Sequence, residues 1–152
     1  MLHDSASRAS LPPSFVPSQL AEIVVLSDFW SPMPEIRTML AGLSASGAHG
    51  TLVQIVDPAE ETFPYAGRVE FVEPEGGGVI TAGRAESWAS DYVARVARHR
   101  DEIRNETNKL DWLFSTHTTS RSAAELLLFL HSGMMSAKGN TRGATVKAGR
   151  SA

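Results

Sequence analysis

The sequence predicts an α/β fold, a partial doubly wound parallel sheet with an appended β-hairpin. Three observations carry this expectation. Residues 23–26 are a continuous apolar run, the pattern of a parallel strand covered on both faces, and 52–56 form a second apolar run. The stretch between them has the apolar spacing of an amphipathic helix. Further on, Val69 and Phe71 alternate with Glu70 ahead of a glycine triplet and a second short apolar run at 79–81, which reads as a hairpin.

Residues 1–19 are rich in Ser, Pro and small residues, and Pro12, Pro13 and Pro17 disfavour regular helix, so an extended lead-in is expected. The βαβ unit at 23–57 follows. Ser27 and Asp28 end its first strand. Ser31 is placed to cap the helix, Pro32 suits the first turn, and Ile36, Met39, Leu40 and Leu43 recur on one face before Gly47 supplies a stop. The second strand breaks at Asp57-Pro58, because proline cannot continue a central ladder. A right-handed crossover between parallel strands puts Asp28 and Asp57 together at the carboxyl edge of the sheet, where open α/β sheets bind ligands.

The hairpin, with Gly76 to Gly78 at its tip, is expected to lie outside the main sheet. An amphipathic helix over about 84–109 carries Trp88, Tyr92, Val96 and Ile103 on one stripe. Residues 110–114 (LDWLF) read as one more strand. Ser122 and Glu125 have capping-box spacing, so a closing helix runs to about Ser132 with Gly133 ending it. The stretch 136–152 holds four basic residues, no acid and one large apolar residue, Val146, and is expected to be a disordered tail. The division is therefore a lead-in at 1–19, an α/β domain at 20–135 and a basic tail at 136–152. Three parallel strands are half of a doubly wound sheet. An unpaired edge on the first strand would invite self-association, and the chain is expected to be part of a larger domain or to dimerise.

Composition narrows the function. At 152 residues and 42% hydrophobic, the chain is long enough for a packed core. With 17 acidic against 14 basic residues its net charge is −3, which offers no field to recruit nucleic acid or an anionic membrane. The absence of cysteine excludes disulfides and thiolate metal sites. The longest apolar run, 123–130, is interrupted by Glu125 and too short for a bilayer, and the N-terminus lacks a signal-peptide pattern. A cytoplasmic protein is the expectation.

Three segments together carry a family resemblance: LSDFWSP after the first strand, DPAEETFPYAGRVEF after the second, and His117-Thr118-Thr119. Over roughly residues 12–135 the chain resembles the bacterial domain of unknown function fifty-eight. That family is similar to the von Willebrand factor A domain, a Rossmann-type doubly wound fold with a metal-ion-dependent adhesion site. By this resemblance Asp28 stands at the fourth-strand position of the metal site with Ser27 beside it, while the Asp-x-Ser-x-Ser loop and the threonine of the pattern have no counterpart here. The resemblance implies the C-terminal half of the domain, an incomplete metal site, no cofactor for this chain alone, and Mg²⁺ or Mn²⁺ in a full-length relative. It also implies a non-enzymatic protein-interaction module whose partner is a MoxR-type AAA+ ATPase.

The residues themselves leave alternatives open. Asp28 alone cannot make a metal site, since a hard cation needs several oxygen ligands, and as a strand terminator it caps the following loop. Asp57, Glu60 and Glu61 put three carboxylates in five residues. They suit acid/base chemistry in a metal-assisted hydrolase built with Asp28, or an ion pair with Arg68 that fixes the loop. His117 has no second histidine at ligand spacing, and belongs either to a polar ligand edge with Asp28 and Asp57 or to an ordinary loop. The aromatic pair Phe63 and Tyr65 serves as a docking patch or as packing that seats the hairpin. A remnant with no independent activity is the third functional reading.

Overall fold

The computed structural model describes residues 11–12, 15–19, 21–72 and 78–147, with side chains described as far as residue 135. The first strand, β1 (Glu22–Ser27), leads through a five-residue connection into helix α1 (Met33–Ser44) and back to β2 (His49–Val56). A short helix α2 (Pro58–Thr62), strands β3 (Val69–Val72) and β4 (Val79–Ala82), and a 3-10 turn (Ala85–Trp88) precede helix α3 (Ala89–Asn108). Strand β5 (Leu113–Thr118) and helix α4 (Ala123–Lys147) complete the described elements. Strands β1, β2 and β5 form a parallel sheet in the order β1-β2-β5, and β3 and β4 pair antiparallel in a separate sheet. The expected partial parallel sheet with its appended hairpin is the fold observed; the hairpin's turn, at 73–77, lies outside the described residues.

Register fixes which residues share a face. Val25 lies beside Leu52 and Leu52 beside Phe114, so Ile23, Val25, Leu52, Gln54 and Phe114 point to one side of the sheet. Helices α1 and α3 cover that side. Their buried Ile36, Leu40, Leu43 and Ile103 join Ile23, Val25, Leu52 and Trp112 in one core, with Phe29 fully buried among them. Each such side chain contributes at most about 1.5–3 kcal/mol relative to exposure. On the opposite side lie Val24, Leu26, Val53, Leu113, Ser115 and His117. Helix α4 passes there, since a Cβ at Gly133 would stand 3.3 Å from Leu113 Cδ1. Leu26 and Leu113, on the two outer strands, stay exposed.

Four local expectations are corrected. The N-cap of α1 is Pro32 rather than Ser31: the backbone N–H groups of Glu35 and Ile36 donate to the Pro32 carbonyl at 2.9 and 3.3 Å, and Ser31 is buried ahead of the cap. The strand expected at 110–114 begins instead at Leu113. Asp111 has φ 55°, and the Leu110 and Trp112 N–H groups both donate to the Thr107 carbonyl, so the first half of that segment closes the end of α3. His117 accordingly lies within β5, opposite Ile55, instead of following the strand. Gly133 does not end α4, which continues to Lys147 and into the stretch expected to be disordered. Residues 148–152 are outside the described part. Gly47 does turn the chain after α1, with φ 74° and its N–H donating to the Ser44 carbonyl at 2.9 Å.

The hairpin is seated on α3 through Phe63, Ala82 and Ala85, all buried, with Val69, Phe71 and Tyr92 packed around them. A reciprocal tie holds its base: Ala85 N–H donates to the Gly67 carbonyl at 2.9 Å and Gly67 N–H donates to Glu86 Oε2 at 2.8 Å. The backbone N–H groups of Glu86 itself and of Gly67 hold the Glu86 carboxyl below its usual range. Across the main core, Arg37 of α1 reaches Glu106 of α3 at 3.0 Å, and Lys109 and Arg37 together keep Glu106 below the ordinary carboxylate range. Among the described residues no helix is long and apolar enough to cross a membrane.

The tightest approach in the core is backbone to ring. Trp112 is buried, its Nε1–H donates to the Ala48 carbonyl at 3.1 Å, and a Cβ at Gly50 would land on the indole ring. Gly50→Ala is therefore expected to displace Trp112 and cost about 1–3 kcal/mol, read as a lower denaturant midpoint with a red-shifted tryptophan emission.

Candidate functional site

The carboxyl edge of the sheet brings together the loops after β1, β2 and β5. At the first exit Ser27 and Asp28 bind their own loop. Phe29 N–H donates to Ser27 Oγ at 3.2 Å and Trp30 N–H to Asp28 Oδ1 at 3.2 Å, the side-chain turns that Ser and Asp favour after a strand. Ser27 Oγ–H also donates to Asp28 Oδ1 at 3.4 Å. Phe29 takes φ 54° there, a costly conformation for a bulky residue, and drives its ring into the core at full burial.

At the second exit Asp57 caps α2. Its Oδ1 accepts from Ala59 N–H at 2.8 Å, while Glu60 Oε2 accepts from Asp57 N–H at 3.3 Å, completing a capping box. Thr119, just past β5, donates through its N–H to the Val56 carbonyl at 2.9 Å and through its hydroxyl to Asp57 Oδ2 at 3.5 Å. The edge thus unites Asp57, Glu60 and Thr119, with Asp28 on the neighbouring strand's loop. His117 points to the opposite side of β5, where a small polar cleft of about 190 Å³ is bounded by Ser115, His117, Arg121, Glu125 and Phe129. Among the described residues no group of three or more His, Asp or Glu side chains is placed to hold a metal ion.

The group that ties the edge together is Gln54, fully buried in the central strand. Its Nε2–H donates to the Asp28 carbonyl at 2.9 Å, and its Oε1 accepts from Arg100 Nε at 2.9 Å. Arg100 Nη2 in turn stands 3.0 Å from Glu61 Oε1, an ion pair whose alignment falls short of a hydrogen bond. One helical position earlier, His99 Nε2 lies 2.7 Å from the Phe29 carbonyl and the ring stacks on Trp30 at 5.7 Å. Both satisfy buried polar groups that would otherwise be costly. Arg100, not Arg68, is therefore the counter-charge to this acidic loop. Arg68 is exposed and makes no ion pair among the described residues. In sequence, the polar Gln54 inside the run TLVQIV was the visible sign of this network.

An apolar groove of about 390 Å³ lies elsewhere, between lead-in residues Leu11, Pro12 and Phe15 and the Met39 and Leu43 side of α1. It shares no residue with the carboxyl edge.

Fold and edge define an α/β sheet domain whose strand-exit loops are fastened to one another by capping and amide hydrogen bonds. Residues 5–102, more than half of the chain, match the family described as Protein of unknown function DUF58, and the chain belongs to that family. No curated protein and no solved structure matches the chain.

The two arginines separate by experiment. Arg100→Ala leaves Gln54 and Glu61 without their partner and is expected to destabilise by about 1–3 kcal/mol, a value limited by the partial exposure of the pair. Arg68→Ala is expected to stay within about 0.5 kcal/mol of the parent chain. Thermal melts of both variants check this.

Proposed function

We propose that this chain is a non-enzymatic protein-interaction module with a von Willebrand A-like sheet, acting with a MoxR-type AAA+ ATPase. The observation that carries the reading is the way the carboxyl-edge side chains are used. Asp57 and Glu60 cap α2, Glu61 pairs with Arg100, and Asp28 closes its own turn, so these groups shape loops instead of converging on a reacting atom. Strand order and helix placement agree with the C-terminal part of an A-like sheet, in which a further strand would add along β1. The choice of ATPase rests on the family resemblance alone.

A partner surface is available on the side of the sheet away from α1 and α3. Leu26 and Leu113 are exposed there, and α4 presents Leu127 and Leu128 at 65% and 69% exposure together with Phe129. Exposed apolar side chains at successive positions of α4 offer an interaction face, for a partner or for a second copy.

The test pairs binding with turnover. Immobilised chain is expected to bind a MoxR-type ATPase saturably, with Leu127→Glu/Leu128→Glu weakening it more than about tenfold. Generic phosphoesters and esters with Mg²⁺ or Mn²⁺ are expected to show no turnover. Turnover lost in Asp57→Asn, without ATPase binding, would replace this reading with the metal-assisted hydrolase.

A further inference from the structure

Beside the carboxyl edge, α2, the loop after it, the hairpin and the start of α3 border an open cavity of about 170 Å³ lined by Ala59, Glu60, Phe63, Tyr65, Phe71 and Tyr92. Four of the six lining residues are aromatic. Phe63 is the hub: its ring lies 5.1 Å from Tyr65, 5.9 Å from Phe71 and 4.8 Å from Tyr92. Tyr65 stands nearly perpendicular to both neighbours, at 77° to Phe63 and 86° to Phe71, so the rings form a corner with faces on more than one side. Behind Phe71, Trp88 stacks at 6.3 Å and supports that wall.

Simple packing accounts for seating the hairpin but not for the remaining wall. Glu60, half-buried, lines a largely aromatic cavity, and the only hydrogen bond of its carboxylate among the described residues is the 3.3 Å acceptance from Asp57 N–H. A carboxylate against an apolar wall is unfavourable without a compensating cation. The Arg100 guanidinium is committed to Gln54 and Glu61. Burial, then the charge of Glu60, pushes the Tyr92 phenol above its usual range, so it stays neutral with its ring face unaltered near neutral pH. Phe63 reaches its place by taking φ 46° at the C-cap of α2, a strained conformation for a bulky residue that aims the central ring at this spot.

We propose that this cavity binds an alkylammonium group against the accessible sides of Tyr65, Phe71 and Tyr92, which the buried Phe63 holds in place, with the Glu60 carboxylate as its counter-charge. Aromatic faces attract cations through their quadrupoles, more strongly as water is excluded, and a facing carboxylate adds charge complementarity. Both a lysine side chain of a protein partner and a small quaternary amine present this chemistry. The site is distinct from the α4 surface and stands or falls independently of any ATPase.

The experiment titrates the whole chain with tetramethylammonium, choline and N-acetyl-lysinamide, following tryptophan and tyrosine fluorescence. The neutral isostere 3,3-dimethylbutanol serves as control. Saturable binding of at least one cation, with the neutral isostere weaker by about tenfold or more, is expected. Tightest binding of choline assigns the site to a small amine, and tightest binding of the lysine amide assigns it to a protein partner. Glu60→Gln, which keeps the capping hydrogen bond, is expected to weaken cation binding about fivefold or more and leave the isostere unaffected. Equal binding of cation and isostere to the unaltered chain, or no saturation by any cation, overturns the proposal without recourse to a variant.

Discussion

The buried amide of Gln54 is the constraint from which the rest of the carboxyl edge follows. A polar side chain with no exposure in the central strand must have both its donor and its acceptor answered from within the protein. The donor is answered by the Asp28 carbonyl and the acceptor by Arg100, so the loop after β1 and the middle of α3 are held at a fixed distance across β2. Arg100 then carries the restraint on to α2 through Glu61. Each link is modest in net energy, about 0.5–3 kcal/mol, but leaving any buried member unpaired costs its desolvation, and that asymmetry makes the network act as a unit.

This arrangement decides how the edge carboxylates are to be understood. In an open α/β sheet the strand exits are where ligands bind, and Asp28 and Asp57 both stand there. Their oxygens are nevertheless turned to neighbouring groups of the protein: Asp28 to the Trp30 N–H, Asp57 to the Ala59 N–H and, more loosely, to the Thr119 hydroxyl. The edge is preorganised as a surface. The aromatic cavity under the hairpin grows from the same scaffold, because Asp57 fixes α2 and α2 delivers Glu60 and Phe63.

Much of this was legible in the sequence, for physical reasons that can be named. The β1-α1-β2 unit was visible because buried parallel strands show as predominantly apolar runs, broken in β2 by Gln54 alone between Leu52 and Val56, and α1 repeats its apolar residues at helical spacing. The hairpin and its separation from the main sheet were visible in alternation and glycine. The third strand was misplaced because Leu110, Trp112 and Phe114 alternate like a strand, whereas Asp111 in the left-handed region turns the first two into a plug at the end of α3. Gly133 looked like a stop, yet it stands where α4 crosses Leu113, so its missing side chain serves close approach rather than termination. Arg68 was chosen as counter-charge for its nearness in sequence; Arg100 wins because α3 folds back over α2, a fact that spacing alone does not contain.

Hydrogen exchange on Gln54→Leu tests the coupling most directly, since the substitution removes donor and acceptor while keeping an apolar body of similar size. If Gln54 ties the edge, amides at 29–36 and 59–63 lose protection together while the β2–β5 ladder keeps its own. Unchanged protection at both loops, or loss spread evenly over the whole sheet, would contradict the account.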